Sequence, residues 1–214
     1  MPIWTSPDCP TLTDVWQSLL QAVAVLSFWE VAAVVLAVAY LLLAIRQNLA
    51  CWPAAIASAA IYIVLMYRAG LYMESALQLF YVAMAIYGWV HWTSGGSPNK
   101  SLPVTSWPLA FNLPPLLAIV VLSGASGYLL ENFTAAAFPY VDSFTTWAAI
   151  VTTWMVARKV LQNWHYWFVI DSVSVYLYTQ RGLYLTALLF MVYLLLIVVG
   201  YRAWRRSLQE RLYE

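Results

Sequence analysis

One short segment of the sequence places two indoles and a carboxylate on one face of a predicted helix. Trp164, Trp167, Asp171, Ser174 and Tyr178 follow one another at steps of three or four residues, the spacing of a single helical face. The face of an aromatic ring attracts a delocalised cation, by about 2 kcal/mol or more where water is excluded. Because a carboxylate adds to that attraction, the stripe predicts a site for a flat ring that is positively charged or strongly polarised.

A second polar stripe lies earlier in the chain. Glu74, Gln78 and Tyr81 are spaced by four and three residues within an otherwise apolar segment, so they share one helical face. Ionisable residues inside apolar spans are rare and mark function by default. Structural alternatives stay open. Glu74 could be solvated at the end of its segment, Asp171 could be a neutral acid that bonds between helices, and Trp164 could be an interfacial anchor.

The composition around these stripes is that of an integral membrane protein. Of the 214 residues, 64% are apolar and 9% are charged, whereas a soluble domain has about 25% charged residues. A membrane-spanning helix needs about 20 mostly apolar residues, and the predicted spans are 28–45, 50–67, 71–91, 108–130, 142–160, 163–180 and 183–204. Residues 11–26 predict an amphipathic helix that lies on the membrane surface or against the bundle. The lipid bilayer is therefore an expected partner, and nucleic acid is not.

Seven spans place alternate connections on opposite sides of the membrane. One side receives eight basic residues, which are Arg46, Lys100, Arg158, Lys159, Arg202, Arg205, Arg206 and Arg211. The other side receives Arg68 and Arg181. By the positive-inside rule the first side is cytoplasmic, so we expect the N-terminus outside and the C-terminus inside.

The chain also repeats itself. At an offset of 112 the matched residues are Gly70, Leu71, Tyr72, Tyr81, Gly88 and Trp92 with Gly182, Leu183, Tyr184, Tyr193, Gly200 and Trp204. At an offset of 115 they are Gln47, Asn48 and Trp52 with Gln162, Asn163 and Trp167. The change of offset predicts a short insertion inside the second helix of the repeat. The Gly-Leu-Tyr match alone could mark a shared tight turn, but the matched Asn and Trp pairs add Asn48, Trp52 and Asn163 to the candidate site.

The repeat predicts a division of the chain. The predicted parts are an N-terminal segment (1–27), a three-helix repeat (28–92), a linker with the fourth span (93–141), a second three-helix repeat (142–206) and a tail (207–214). Three spans and one linking span form an even number, so both repeats enter the membrane in the same direction. This 3+1+3 arrangement of parallel repeats is that of SWEET-type transporters, whose substrates bind near the midplane between repeats. Within the linker, residues 93–108 predict a flexible cytosolic connection.

Two blocks of sequence resemble the PnuC-type vitamin transporters. The stretch 163–174 resembles the Trp-x-x-Trp-x-x-x-Asn/Asp signature of that family, and the stretch from Gly70 to Trp92 resembles its other strong block. The resemblance implies uptake of nicotinamide riboside across a bacterial inner membrane by facilitated diffusion, with cytosolic phosphorylation trapping the substrate. It also implies a homotrimer and ligand contacts at Trp164, Trp167, Asp171 and Gln78. In a bacterial inner membrane, the N-terminus that the positive-inside rule places outside is periplasmic.

Other functions remain as alternatives. Asp171 stands where some nicotinamide riboside carriers have Asn, so thiamine is the first alternative, and both compounds are cationic heteroaromatics. A SWEET-like sugar carrier is the second, although a neutral sugar gains nothing from a buried carboxylate. We expect no enzyme and no cofactor, because no nucleophile and base converge in the sequence. We expect no metal site at His91 or His165, because neither has a second ligand at usable spacing.

Overall fold

The structure is a computed structural model that describes residues 12–68, 72–94, 102–134, 138–180 and 182–212. Eight helices occupy these ranges: α1 Leu12–Val25, α2 Phe28–Ile45, α3 Cys51–Arg68, α4 Tyr72–Ser94, α5 Leu109–Phe133, α6 Pro139–Ala157, α7 Asn163–Gln180 and α8 Tyr184–Leu212. Each predicted span falls on one of the helices α2 to α8, and the predicted amphipathic segment falls on α1. Within the described ranges, α2, α3, α5 and α8 are long and apolar enough to cross a membrane. The all-α membrane fold is confirmed, and seven crossings remain a prediction.

Local backbone features set the start of α2 and the ends of α2 and α6. Ser27 and Glu30 form a capping box at the start of α2, in which the Ser27 N–H donates to Glu30 Oε2 at 2.6 Å and the Glu30 N–H to Ser27 Oγ at 3.2 Å. After α2, Gln47 has a φ of 54°, and after α6, Lys159 has a φ of 51°. A residue in this left-handed region ends a helix, so both connections turn in the same way.

The long helices form two three-helix units. The first unit is α2, α3 and α4, in which α3 packs against both neighbours, and the second is α6, α7 and α8, in which α7 does the same. The units meet where α4 packs on α6 and α2 packs on α8, while α5 packs on α6. We call the inner end of the bundle the end where α2 and α6 finish and α3 and α7 begin. It carries the described basic residues of the predicted cytoplasmic side, and Lys100 lies outside the described ranges.

The structure corrects the register of the repeat. Helices α3 and α7 begin and end 112 residues apart, and α4 and α8 begin 112 residues apart. The indole of Trp52 packs on Gly88 and that of Trp164 packs on Gly200, again at 112. The offset of 115 and the insertion in the second helix are therefore wrong, and Trp52 corresponds to Trp164. The two Gln-Asn pairs that suggested the offset of 115 occupy different structural positions. Residues 47–48 lie in the connection between α2 and α3, whereas Asn163 is the first residue of α7.

The predicted flexible connection is wrong over residues 102–107, and residues 95–101 lie outside the described ranges. Val104 is buried in the core. The Thr105 N–H donates to the Lys159 carbonyl at 2.9 Å, and the Leu161 N–H donates to the Thr105 carbonyl at 2.8 Å. Gln162 adds side-chain bonds to the Trp107 backbone. These long-range bonds fix the segment to the connection between α6 and α7.

The contacts of Gly88 and Gly200 with the indoles lead to a prediction about stability. A Cβ at Gly88 or Gly200 would overlap ring carbons of Trp52 or Trp164, and overpacking of a filled core costs about 1–3 kcal/mol. Gly88→Ala and Gly200→Ala should therefore lower the midpoint of thermal unfolding in detergent. Gly124→Ala is the matched control, because nothing lies within 4 Å of its added methyl group and Ala favours a helix over Gly by about 1 kcal/mol. Equal midpoints for all three variants would contradict the packing.

Candidate functional site

A cavity of about 380 Å³ lies between the two three-helix units. Side chains from α2, α3, α4, α6, α7 and α8 line it, and most of them are apolar or aromatic. Cavities of about 300–1,000 Å³ with an apolar lining and a few placed polar groups are typical of small-molecule sites. The position between the units and the lining chemistry make this cavity the candidate site.

The α7 wall of the cavity carries the predicted indole and carboxylate stripe. Trp164, Trp167 and Asp171 all line the cavity, and Trp164 and Asp171 are each 3% exposed. Ser174 is buried on the same helix but does not reach the lining, and Tyr178 stacks on Phe190, with the ring centroids 5.3 Å apart. The front of the predicted stripe therefore faces the cavity, and its far end supports a neighbouring wall.

Most of the other predicted site residues also reach the cavity. Gln78 and Tyr81 on α4, Trp52 on α3 and Asn163 on α7 line it. Asn48 does not, because it is exposed in the connection before α3, where its side-chain oxygen accepts the Ala50 N–H at 2.9 Å. The Glu74 backbone lies in α4, and its side chain is outside what the structure describes.

Several aromatic and hydroxyl-bearing lining residues were not predicted from the sequence. They are Tyr40, Ser58, Tyr62, Thr153, Phe190 and Tyr193. Only Tyr193 could have been identified as a site residue from the sequence, since it is the repeat partner of Tyr81. The others lie in strongly apolar helices. In such helices the sequence does not distinguish an aromatic residue that faces the cavity from one that faces lipid.

The lining repeats in position but not in chemistry. At the corrected offset of 112, Trp52 corresponds to Trp164 and Tyr81 to Tyr193, and all four line the cavity. Six further lining pairs differ in residue type, and the chemically most different of them are Ala55 with Trp167, Ala59 with Asp171, and Gln78 with Phe190. The deeper indole and the carboxylate thus come from α7 alone, while the small residues of α3 leave the space opposite them.

The charge of the cavity is unbalanced. Asp171 is buried, and none of the residues that line the described cavity is Lys, Arg or His. A buried carboxylate is costly unless an opposite charge or hydrogen bonds compensate it. A cationic ligand between Trp167 and Asp171 would supply that charge and present it to an aromatic face. The arrangement is therefore suited to bind a flat cation.

Comparisons with known proteins agree with this description. A family model described as nicotinamide mononucleotide transporter matches residues 27–206. The nicotinamide riboside transporter PnuC of Escherichia coli is 27% identical over 173 residues, which are 69% of this chain and 72% of that protein. The riboflavin/roseoflavin transporter RibM of Streptomyces davaonensis is 25% identical over 169 residues, which are 77% of this chain and 78% of that protein.

A solved structure has the same fold. The crystal structure of the vitamin B3 transporter PnuC matches with a TM-score of 0.70 at 20% sequence identity, and the match covers 92% of this chain and 88% of that one. At this identity the structural likeness establishes the fold alone. Together with the family model, it confirms the resemblance to PnuC-type vitamin transporters.

The unbalanced charge makes a stability prediction for the protein without ligand. Asp171→Asn keeps the shape of the side chain and removes the buried charge, so it should raise the midpoint of thermal unfolding at neutral pH. In a chain of this size about 1 kcal/mol moves the midpoint by about 2–4 °C. Glu210→Gln removes an exposed carboxylate on α8 and should leave the midpoint unchanged. A lower midpoint for Asp171→Asn would show that the carboxylate is already compensated within the protein.

Proposed function

Because this chain belongs to the nicotinamide mononucleotide transporter family, we propose that it carries nicotinamide riboside into the cell across the inner membrane. The pyridinium ring of this compound is flat and positively charged. The observation that supports the proposal is the buried Asp171 carboxylate beside Trp164 and Trp167, in a cavity whose described lining has no positive side chain. A pyridinium ring on an indole face, next to a carboxylate, gains from both attractions.

The proposed ligand contacts come from both three-helix units. They are Trp52, Gln78, Tyr81, Asn163, Trp164, Trp167 and Asp171, which share the lining of one cavity. The small Ala55 and Ala59 of α3 leave room for the ring opposite the α7 wall. Gln78 and Tyr81 provide hydrogen-bonding groups for the hydroxyls of a sugar.

Thiamine is the alternative that one observation favours. It is also a cationic heteroaromatic compound, and the Asp171 carboxylate suits it as well as it suits nicotinamide riboside. Riboflavin, part of the printed name of the relative from Streptomyces davaonensis, has a neutral ring system, and so has a sugar carried by a SWEET-like protein. Neither would compensate the Asp171 charge, so both rank below the cationic vitamins.

The proposed mechanism is facilitated diffusion, with alternate separation of the two three-helix units at either end of the cavity. The offset of 112 between the ends of α2 and α6, between α3 and α7, and between the starts of α4 and α8 supports two parallel repeats. The basic inner end supports a cytoplasmic C-terminus and a periplasmic N-terminus. A cytosolic kinase would then retain the substrate as its phosphate. A homotrimer is part of the same proposal, and native mass spectrometry measures it directly.

Calorimetric titration of the purified protein tests the substrate. Nicotinamide riboside should bind and riboflavin should bind weakly, because nicotinamide riboside and thiamine carry a cationic ring and riboflavin does not. Tighter binding of thiamine than of nicotinamide riboside would make the alternative the substrate. Asp171→Ala should weaken binding of the cation by at least about tenfold, which is about 1.4 kcal/mol. Glu210→Gln is the control and should bind as the unmodified chain does. Tight riboflavin binding that Asp171→Ala leaves unchanged would refute a cation site.

Uptake into proteoliposomes tests the mechanism. Nicotinamide riboside should enter until its concentrations inside and outside are equal, and a protonophore should not change the rate, because no ion gradient is coupled. Enclosing a nicotinamide riboside kinase with ATP should raise the retained label. Accumulation above the external concentration without any kinase would exclude facilitated diffusion.

A further inference from the structure

Four indoles form a cluster between the cavity and the inner end of the bundle. Trp52, Trp92, Trp164 and Trp204 are each at most 3% exposed. Trp52 meets Trp92 edge to face at 5.1 Å between centroids, and Trp164 meets Trp204 in the same way at 5.4 Å. The two pairs touch where Trp92 and Trp204 lie 6.3 Å apart. Trp52 and Trp164 line the cavity, and Trp92 and Trp204 do not. Trp92 and Trp204 close the space behind the two lining indoles. We call them the outer pair, because they lie farther from the cavity.

The outer pair of this cluster makes reciprocal hydrogen bonds between the three-helix units. Trp92, on α4 of the first unit, donates its indole N–H to the Ala157 carbonyl at the end of α6, at 3.1 Å. Trp204, on α8 of the second unit, donates to the Ala44 carbonyl at the end of α2, at 3.0 Å. Both acceptors are carbonyls in the last turn of a helix, and the Ala44 carbonyl also accepts the Gln47 N–H at 3.0 Å. Each indole therefore donates a hydrogen bond to the end of a helix of the other unit.

A third contact crosses the same boundary. Lys159 is 1% exposed, and its ammonium group donates to Gln47 Oε1 at 3.2 Å and lies 4.3 Å from the ring centroid of Trp92. Gln47 follows α2 and Lys159 follows α6, and both have a positive φ. They therefore occupy corresponding positions in the two units. The connection of one unit is thus tied to that of the other, beside the reciprocal indole bonds.

We infer that Trp92 and Trp204 hold the cavity closed at its inner end and must lose their bonds to the opposite unit each time a ligand leaves on that side. We call these two residues with their acceptor carbonyls the indole latch. The inference rests on the proposed function in one respect, that transport separates the two units. The indoles of Trp52 and Trp164 have no hydrogen-bond partner among the described residues. Within the cluster, the reciprocal bonds between units are therefore made by the outer pair.

The chain contains its own reporter for this closure. Cys51 is fully buried and packs in the same core cluster as the four indoles. The second cysteine of the sequence, Cys9, is replaced by Ser in every protein tested, so that one thiol remains. Opening of the inner end exposes Cys51 to N-ethylmaleimide, and its labelling rate then follows the population of the open state.

Labelling of Cys51 in ligand-free proteoliposomes tests the latch. Trp92→Phe and Trp204→Phe keep an aromatic ring and remove one donor each, so each should speed labelling by about fivefold, the worth of one typical hydrogen bond. The double variant should speed it by more than either. Trp147→Phe is the matched control, because it removes an indole bond of 3.0 Å to Ser126 Oγ, between α6 and α5 and away from the cluster. Its labelling rate should stay at that of the parent.

A second variant avoids the core altogether. Gln47→Gly removes the amide that holds Lys159, and Gly adopts the positive φ of this position without strain. It should speed labelling by about twofold or more and leave the thermal midpoint within a few degrees of the parent. Unchanged labelling in both the double Trp variant and Gln47→Gly overturns the latch, as does equal acceleration by Trp147→Phe. The assay uses no vitamin, so failure of the calorimetric titration would leave its result standing.

Discussion

The packing of a large indole on a bare glycine is the constraint from which the site follows. It occurs once in each three-helix unit, with Trp52 on Gly88 and Trp164 on Gly200. Because the glycine has no side chain, α4 comes close to α3, and α8 comes close to α7, at the inner end of the bundle. Both indoles are thereby held in the core, where they form the inner wall of the cavity. The space for a ligand is left further along, beside Ala55 and Ala59.

Two units with matching helices enclose a cavity that is chemically one-sided. The frame repeats at an offset of 112, yet α7 carries Trp167 and Asp171 where α3 carries alanines. A ligand with one cationic end needs such a difference, since two equal walls would bind it equally well in two orientations. The bulky wall supplies the attraction and the small wall supplies the room. Under the proposed function, the two matching units would move relative to each other while the different walls give the ligand one preferred orientation.

The sequence predicted the helices and the polar face of α7 better than it predicted long-range contacts. Apolar length located α2 to α8, and spacing alone brought Trp164, Trp167 and Asp171 to one cavity. The predicted register of the repeat was wrong because it relied on a short Gln-Asn identity. The packing of each indole on a glycine, which sets the offset of 112, could not be recognised from the sequence. The bonds of Thr105 to the connection between α6 and α7 join residues 54 to 56 positions apart and leave no local pattern.

The polarity of α7 also explains why this helix falls outside the set that length and composition assign to the membrane. Its buried residues include Asn163, Asp171 and Ser174, whereas Phe168 and Val169 are about half exposed. A water-soluble helix has the opposite arrangement, with the polar face outward. Apolar side chains outside and ionisable groups toward the interior are what a bilayer requires of a helix that lines a transport path. Two of the residues that lower the hydropathy of α7, Asn163 and Asp171, line the cavity, and two others, His165 and Gln180, are exposed near the ends of the helix. The low overall hydropathy of α7 is therefore compatible with its proposed crossing.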